Sequence, residues 1–195
     1  MTDLSKPRCW WPGTDPLYCD YHDNEWGVPL HDEHRLFEML ILEGFQAGLS
    51  WITILRKREN FRKAFKKFDP KKVAKFTKQD VARLMKDEGI VRNRLKIEAA
   101  VTNAKAFLAV QKEFGSFDKY IWQFTGYKTL RDPKGMTKAR IRPTSPESDA
   151  LSKDLKARGF KFVGSTIIYA HMQATGMVND HVVTCHRYAP RTATT

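Results

Sequence analysis

The chain has 195 residues, 42% of them apolar and 12% aromatic, enough to fill a core in one domain or at most two small ones. Three scattered cysteines do not make a secreted disulfide framework, the opening MTDLSKPRCWW lacks a signal peptide's apolar stretch, and no apolar run reaches the roughly 18 residues that cross a bilayer, so a reduced, cytoplasmic protein with no membrane partner is expected. The formal charge of +12, from 34 Lys and Arg against 22 Asp and Glu, favours a polyanionic partner, nucleic acid first.

Along the chain, helix signals recur and strand signals are scarce, which predicts an all-α fold. Asp32 is an N-cap for a helix whose apolar positions Leu36, Phe37, Leu40 and Ile41 recur at three-to-four spacing and which runs to about Glu43 and Gly44. A second helix is predicted from Leu49 to Ala64, with Trp51, Ile52, Leu55 and Phe61 inward. Asp69 and Pro70 read as N-cap and first residue of a short helix through Lys75. Thr77 caps the next, which carries Val81, Leu84 and Met85 and stops near Gly89. From Asn93 to Lys112, Ile97, Ala100, Val101, Ala104 and Leu108 form one stripe of helical period, and Ser116 opens a short helix with Tyr120, Ile121 and Phe124. Between Gly126 and Ser145, Gly, Pro, Thr and basic residues predict a partly mobile surface connection, the one plausible linker. Helices resume from Glu147 to Arg158 and from Ser165 to Thr175, and the tail from about residue 190 is expected to fray.

Much of the basic surplus is local. One group runs from Arg56 to Lys72, and six more Lys and Arg lie between Lys128 and Arg142. Solvated helix faces carry the same pattern, so charge alone is mild support for a polyanion.

Three stretches carry residue types suited to chemistry. Cys9 and His22 near the start and His181 and Cys185 near the end are zinc-ligand types, and a Cys2His2 set fills a tetrahedral ion with no position left for water. The four-residue spacing of the second pair suits one helical turn, and His186 beside it is a possible substitute ligand; the same residues also fit an ordinary core. In LEGFQAGLSWITIL, Glu43 sits among apolar neighbours, where a carboxylate is costly unless paired, solvated or functional, although a helix-terminal Glu facing water fits too. In DPLYCDYHDNEWG, Tyr18, Tyr21 and Trp26 crowd His22; such rings stack on a purine and attract cations, or close a core. Further on, RGFKFVGS has the shape of a glycine-bounded hairpin between two helices, able to aim backbone amides at a phosphate, with Phe160, Phe162 and Val163 as inward anchors and Lys161 as added charge; an ordinary helical hairpin reads the same.

Together these words resemble the 3-methyladenine DNA glycosylase I family: DPLY at 15–18, YHDNEWGVP at 21–29, LEG and QAGLSWIT at 42–53, KREN, FDP, GI at 89–90, SDALSKDLK, RGFKFVG and NDHVV at 179–183. The agreement runs from Cys9 to about Tyr188. The resemblance implies an all-α helix-hairpin-helix fold forming a single glycosylase domain over 1–195, with one structural zinc ion held by Cys9, His22, His181 and Cys185 joining the two ends. It implies Glu43 as the catalytic carboxylate that complements a cationic base, Tyr18, Tyr21 and Trp51 as the base-binding rings, and Gly159, Phe160, Lys161, Phe162, Val163 and Gly164 as the DNA-backbone hairpin. Phe45 departs from the polar residue expected at its position, which puts the fine pocket contacts in question. Leu49, after Gly48, is a candidate wedge for the gap left by an extruded base, with core burial as the alternative.

The expected reaction is hydrolysis of the N-glycosidic bond of 3-methyladenine in double-stranded DNA, leaving an abasic site. No Lys is placed for a Schiff base, so no strand cleavage is expected, and bending a duplex needs no dimer, so a monomer is expected. Asp180, beside His181, is expected to give that ligand a supporting hydrogen bond in preference to acting as a base. The alternatives are a helix-hairpin-helix module that binds DNA without chemistry, and a zinc deaminase, which needs a Cys-x-x-Cys pair that the chain lacks.

Overall fold

A computed structural model of the chain describes residue 3 and residues 5–188; the frayed tail expected from about residue 190 lies outside them. Among these residues the protein is all-helical, with nine α-helices, three short 3-10 turns and two isolated parallel bridges in place of any strand. The helices are α1 (Pro16–Asn24), α2 (Glu33–Gln46), α3 (Trp51–Ala64), α4 (Pro70–Val73), α5 (Lys78–Leu84), α6 (Arg94–Phe114), α7 (Phe117–Trp122), α8 (Pro146–Ala157) and α9 (Ser165–Ala174). Among the described residues no helix is long and apolar enough to cross a membrane.

α2 is the axis of the fold. Its residues from Leu36 through Phe45 are all buried, Glu38 and Glu43 included, and it packs against α3, α6, α7 and α9. A helix buried nearly all round must be covered on every side, and α3, α6, α7 and α9 supply that cover. Their starts follow local capping chemistry: Asp32, Asp69, Thr77, Asn93, Ser116 and Ser145 each accept a hydrogen bond from an amide in their helix's first turn.

Four expectations change. A helix the sequence did not suggest, α1, is capped by Asp15, whose side chain accepts from the Tyr18 amide, with Pro16 in the first turn. α3 begins at Trp51 because Ser50 is extended, and Leu49 is left in the turn. On α6 the buried face runs through Phe107 and Val110, while Val101 and Leu108 are only half-buried. The stretch 126–145, expected as a surface connection, is tied to the C-terminal segment by bridges from Leu130 to Val178 and from Met136 to Val182, with Met136 buried. At Gly135 (φ +75°) a Cβ would lie 2.5 Å from Val183 Cγ1, so the close approach requires glycine.

Candidate active site and metal centre

Tyr18 and Tyr21 on α1, Glu43 on α2 and Trp51 at the start of α3 line one cavity of about 240 Å3. That is below the ~300–1,000 Å3 of drug-sized sites and suits a small ring system. The Tyr21 and Trp51 ring centroids are 5.4 Å apart and those of Trp11 and Tyr18 4.8 Å, so the walls are largely aromatic.

Two buried glutamates on α2 show what is unusual here. Glu38 receives three hydrogen bonds of 2.7–3.1 Å from the Arg62 guanidinium. Glu43 has no such partner: it is 3% exposed, its Oε2 is buried without a hydrogen bond, and burial pushes its carboxyl up to about 8. A carboxyl kept unpaired on a cavity wall is costly to the fold, which makes it a candidate functional group. It also acts on its neighbours: burial first and Glu43 second push the Tyr18 hydroxyl up to about 12.

Two further wall residues carry buried polar atoms without partners, Trp51 through Nε1 and Asp180 through Oδ1. The other oxygen of Asp180 accepts from the Tyr169 hydroxyl at 2.6 Å and from Gln173 Nε2 at 2.8 Å. The support expected from Asp180 for His181 comes instead from Asn179, whose Oδ1 lies 3.0 Å from His181 Nδ1. Phe45, whose departure raised a question about the pocket, is not on its wall. Two positions after Glu43 it points to the opposite side of α2, meeting Phe61 edge-on in the core at 4.8 Å between ring centroids. Gln46, three positions on, shares the face of Glu43 and does line the cavity. That helical phase was a usable signal; the contributions of Trp11, Met136, Ile141, Ala170 and Gln173 come from remote segments and had none.

Of the expected metal ligands, Cys9, His22 and Cys185 are buried with their ligand atoms within 4.8 Å of one another. His22 Nε2 lies 3.5 Å from Cys185 Sγ, while its Nδ1 faces Asp23 Oδ1 at 2.8 Å, and Asp23 is held by Arg8 at 2.6 Å. A carboxylate behind a histidine in this way fixes the tautomer that a metal needs. His181 stands outside that triplet, yet its ring centroid is 4.9 Å from that of His22 and its Nε2 is buried with no partner. The two sulfurs share one hydrogen bond, which holds the Cys185 thiol below its ordinary value and pushes the Cys9 thiol up. Two sulfurs, one oriented imidazole and one orphaned imidazole nitrogen fit a soft divalent ion. His186 is engaged elsewhere, with Nδ1 2.8 Å from the Pro7 carbonyl. The segment carrying His181 and Cys185 is a turn, closed by Cys185 N to Val182 O at 2.8 Å, and not the helical turn the spacing suggested.

Metal centre and cavity share walls. Trp11 lies 5.1 Å from His22 and Trp26 4.6 Å from His181, and both tryptophans line the cavity.

The glycine-bounded turn connects α8 to α9. Gly159 has φ +89°, Phe160 and Val163 are buried anchors, and Lys161 is exposed. Asn103 on α6, which the sequence did not single out, clasps the turn: its Oδ1 accepts from Lys161 N at 2.8 Å and its Nδ2 donates to Lys161 O at 3.0 Å. Phe162 packs 3.4 Å from the Cβ position of Gly44, so the turn rests on the helix residue next to Glu43. Gly164 is the N-cap of α9 and offers no side chain, leaving that helix's first amides open. Leu49 is 42% exposed at the turn between Gln46 and Trp51, and Lys96 Nζ secures that turn by donating to Phe45 O (2.9 Å) and Ala47 O (2.6 Å).

The sequence profile of the family described as methyladenine glycosylase matches residues 11–188. DNA-3-methyladenine glycosylase 1 of Escherichia coli (strain K12) is 53% identical over 181 residues, covering 93% of this chain and 96% of that protein. A crystal structure of 3-methyladenine DNA glycosylase I superposes with a TM-score of 0.90 at 50% identity, covering 93% of this chain and all of the other. A tyrosine-to-phenylalanine variant of such an enzyme, in complex with 3-methyladenine, superposes with a TM-score of 0.89 at 38% identity over 93% of this chain and 97% of that one. The chain belongs to the methyladenine glycosylase family.

Proposed function

We infer that the protein is a DNA-3-methyladenine glycosylase of base-excision repair, one catalytic domain spanning 1–195, that acts as a monomer on double-stranded DNA. The observation that carries the reading to this chain's own residues is the unpaired, buried carboxyl of Glu43 in an aromatic cavity. The identity with named glycosylases over most of the chain supports it independently.

Methylation at N3 gives adenine a positive charge, so the glycosidic electrons leave readily with the base, which departs neutral. Water then adds to the sugar carbon and loses a proton, leaving an abasic site. Selection is the harder task. Extruding the nucleotide costs a few kcal/mol, less for a damaged pair. Tyr18, Tyr21 and Trp51 stack on the base, and Glu43, losing its proton as the cation enters, accepts hydrogen bonds from it. Neutral adenine offers no charge to offset that ionisation, so it is rejected. The turn Gly159–Gly164 acts as the hairpin of a helix-hairpin-helix element, with Gly164 and the open amides of α9 meeting a backbone phosphate and Lys161 adding charge. Leu49 fills the gap in the stack.

Zinc, on this reading, is held by Cys9, His22, Cys185 and His181. A closed Cys2His2 ion has no site for water and contributes structure only. Its residues keep Trp11 and Trp26 against the cavity.

The test is incubation with methylated duplex DNA. Release of free 3-methyladenine with the strand left unbroken supports the reading; no release by folded protein that retains its metal refutes it and leaves a DNA-binding module.

A further inference from the structure

The two basic clusters of this chain have different fates in the fold. In the run that begins at Arg56 the three arginines of α3 are each paired with an acid: Arg56 with Asp15 at 2.7 Å, Arg58 with Glu25 at 2.7 Å and Arg62 with Glu38 at 2.7 Å. Those ion pairs stitch α3 to α1 and α2. In residues 128–142 all six basic side chains, Lys128, Arg131, Lys134, Lys138, Arg140 and Arg142, are exposed, and the stretch contains one acid, Asp132. Arg131 and Arg140 donate to backbone carbonyls and Arg142 to the Tyr169 hydroxyl, whereas Lys128, Lys134 and Lys138 have no carboxylate partner among the described residues.

This strap is held in place by its bridges to Val178 and Val182. Met136 and Ile141 line the cavity, and at its mouth Lys138 Nζ stands 5.9 Å from the ring centroid of Trp10, itself a wall residue and 45% exposed. Lys138 therefore places an ammonium group beside an exposed tryptophan of the cavity wall, and Lys134 and Lys128 continue the same exposed strap away from it. The strap leads directly into α8, and the Gly159–Gly164 turn leaves its far end. Twelve residues of helix put about 18 Å between the two, roughly five base steps along a strand at 3.4 Å each.

We propose that residues 128–142 form a second DNA-backbone contact, in which Lys128, Lys134 and Lys138 seat phosphates on the flank of the extruded nucleotide opposite to that held by the 159–164 turn. The proposal rests on the glycosylase reading above. Two anchors astride the cavity mouth fix the bend of the duplex and keep the target nucleotide facing the opening. The occupant is a nucleic-acid backbone because mobile, spaced point charges match phosphates, while the exposed Trp10 and Ile141 between them and the cavity match a base and sugar edge.

The test compares wild type with the triple variant Lys128→Ala, Lys134→Ala, Lys138→Ala on duplex DNA carrying an abasic site, with affinity measured from low to high salt. Each lost phosphate contact lowers the slope of log K against log salt by about 0.9, so a fall of about 2 to 3 is expected, with affinity near physiological salt down about tenfold or more. Binding of free 3-methyladenine and the thermal midpoint are expected to stay at wild-type values, and a control variant, Lys71→Ala with Lys78→Ala on α4 and α5, is expected to keep the full slope. Shortening the duplex on the strap side is expected to weaken wild type but not the triple variant. An unchanged slope and affinity in the triple variant overturns the proposal, as does a control variant with an equal loss. Wild type that releases no methylated base overturns the glycosylase reading instead, and the strap is then judged on the salt slope alone.

Discussion

Tyr21 on α1 and Trp51 at the head of α3 hold their ring centroids 5.4 Å apart at an interplanar angle of 46°, on the wall of the cavity that Glu43 also lines. Burial drives the Tyr21 hydroxyl well above its ordinary value, with Glu43 adding to the effect, and drives the Glu43 carboxyl up to about 8. The Glu43 carboxyl is therefore largely protonated near pH 7 in the empty site, and on the proposed reading it ionises when a cation arrives.

That proton has a kinetic signature. On the proposed reading ionised Glu43 is the form that complements a cationic base, so kcat/KM on methylated DNA is expected to rise with pH and level off above about 8. Glu43→Gln is expected to flatten this limb and to lower kcat/KM roughly tenfold to a hundredfold, the worth of one charge-assisted hydrogen bond. A pH-rate profile of both proteins from pH 6 to 9 is the check, and a wild-type profile flat over that range contradicts the expectation.

The same substitution has an opposite effect on stability. A carboxyl whose folded value is raised contributes stability that is complete below its unfolded value near 4.5 and lost as pH rises through about 8. Ionised Glu43 thus burdens the empty protein above pH 8 by up to about 5 kcal/mol. Glu43→Gln is expected to melt higher than wild type at pH 9, with the gap narrowing towards pH 5. Thermal unfolding at the two pH values measures it.

His171 on α9 sets an acid limit. It is buried with neither ring nitrogen bonded, and burial lowers it to about 4. The unfolded chain binds its proton first, so stability is full above about 6.5 and is lost as pH falls towards 4, by roughly 3 kcal/mol. His171→Met is expected to remove most of that loss between pH 6.5 and 4 in urea titrations.

Loss of the Cys185 sulfur tests the proposed zinc clamp. Cys185→Ser is expected to release the metal, to lower the melting temperature by ten degrees or more, and to lose activity in proportion to the fraction unfolded. Metal content by mass spectrometry and a melting curve decide; an inactive variant as stable as wild type indicates a catalytic metal.

The limits of the sequence have physical causes. Caps are local chemistry, so Asp32, Asp69, Thr77, Asn93 and Ser116 disclosed their helices. α1 escaped because it buries few side chains and carries no clear apolar stripe, although Asp15 and Pro16 repeat the signal read at Asp69 and Pro70. The four-residue gap from His181 to Cys185 suits a tight turn as well as a helix, so spacing alone could not choose. Glu43 stood out because a carboxylate among apolar letters is costly wherever it lies. Trp11, Gln173 and Met136 reach the cavity only through tertiary packing, and the difference between the acid-paired arginines of α3 and the lysines of 128–142, which lack a carboxylate partner among the described residues, depends on groups far away in sequence.

The most direct measurement is the relative affinity of the protein for free 3-methyladenine and free adenine, read by tryptophan fluorescence, in wild type and Glu43→Gln. Wild type is expected to bind 3-methyladenine and not adenine, and the variant to lose at least tenfold of that preference while remaining folded. A variant that keeps the wild-type preference contradicts selection by the buried carboxyl.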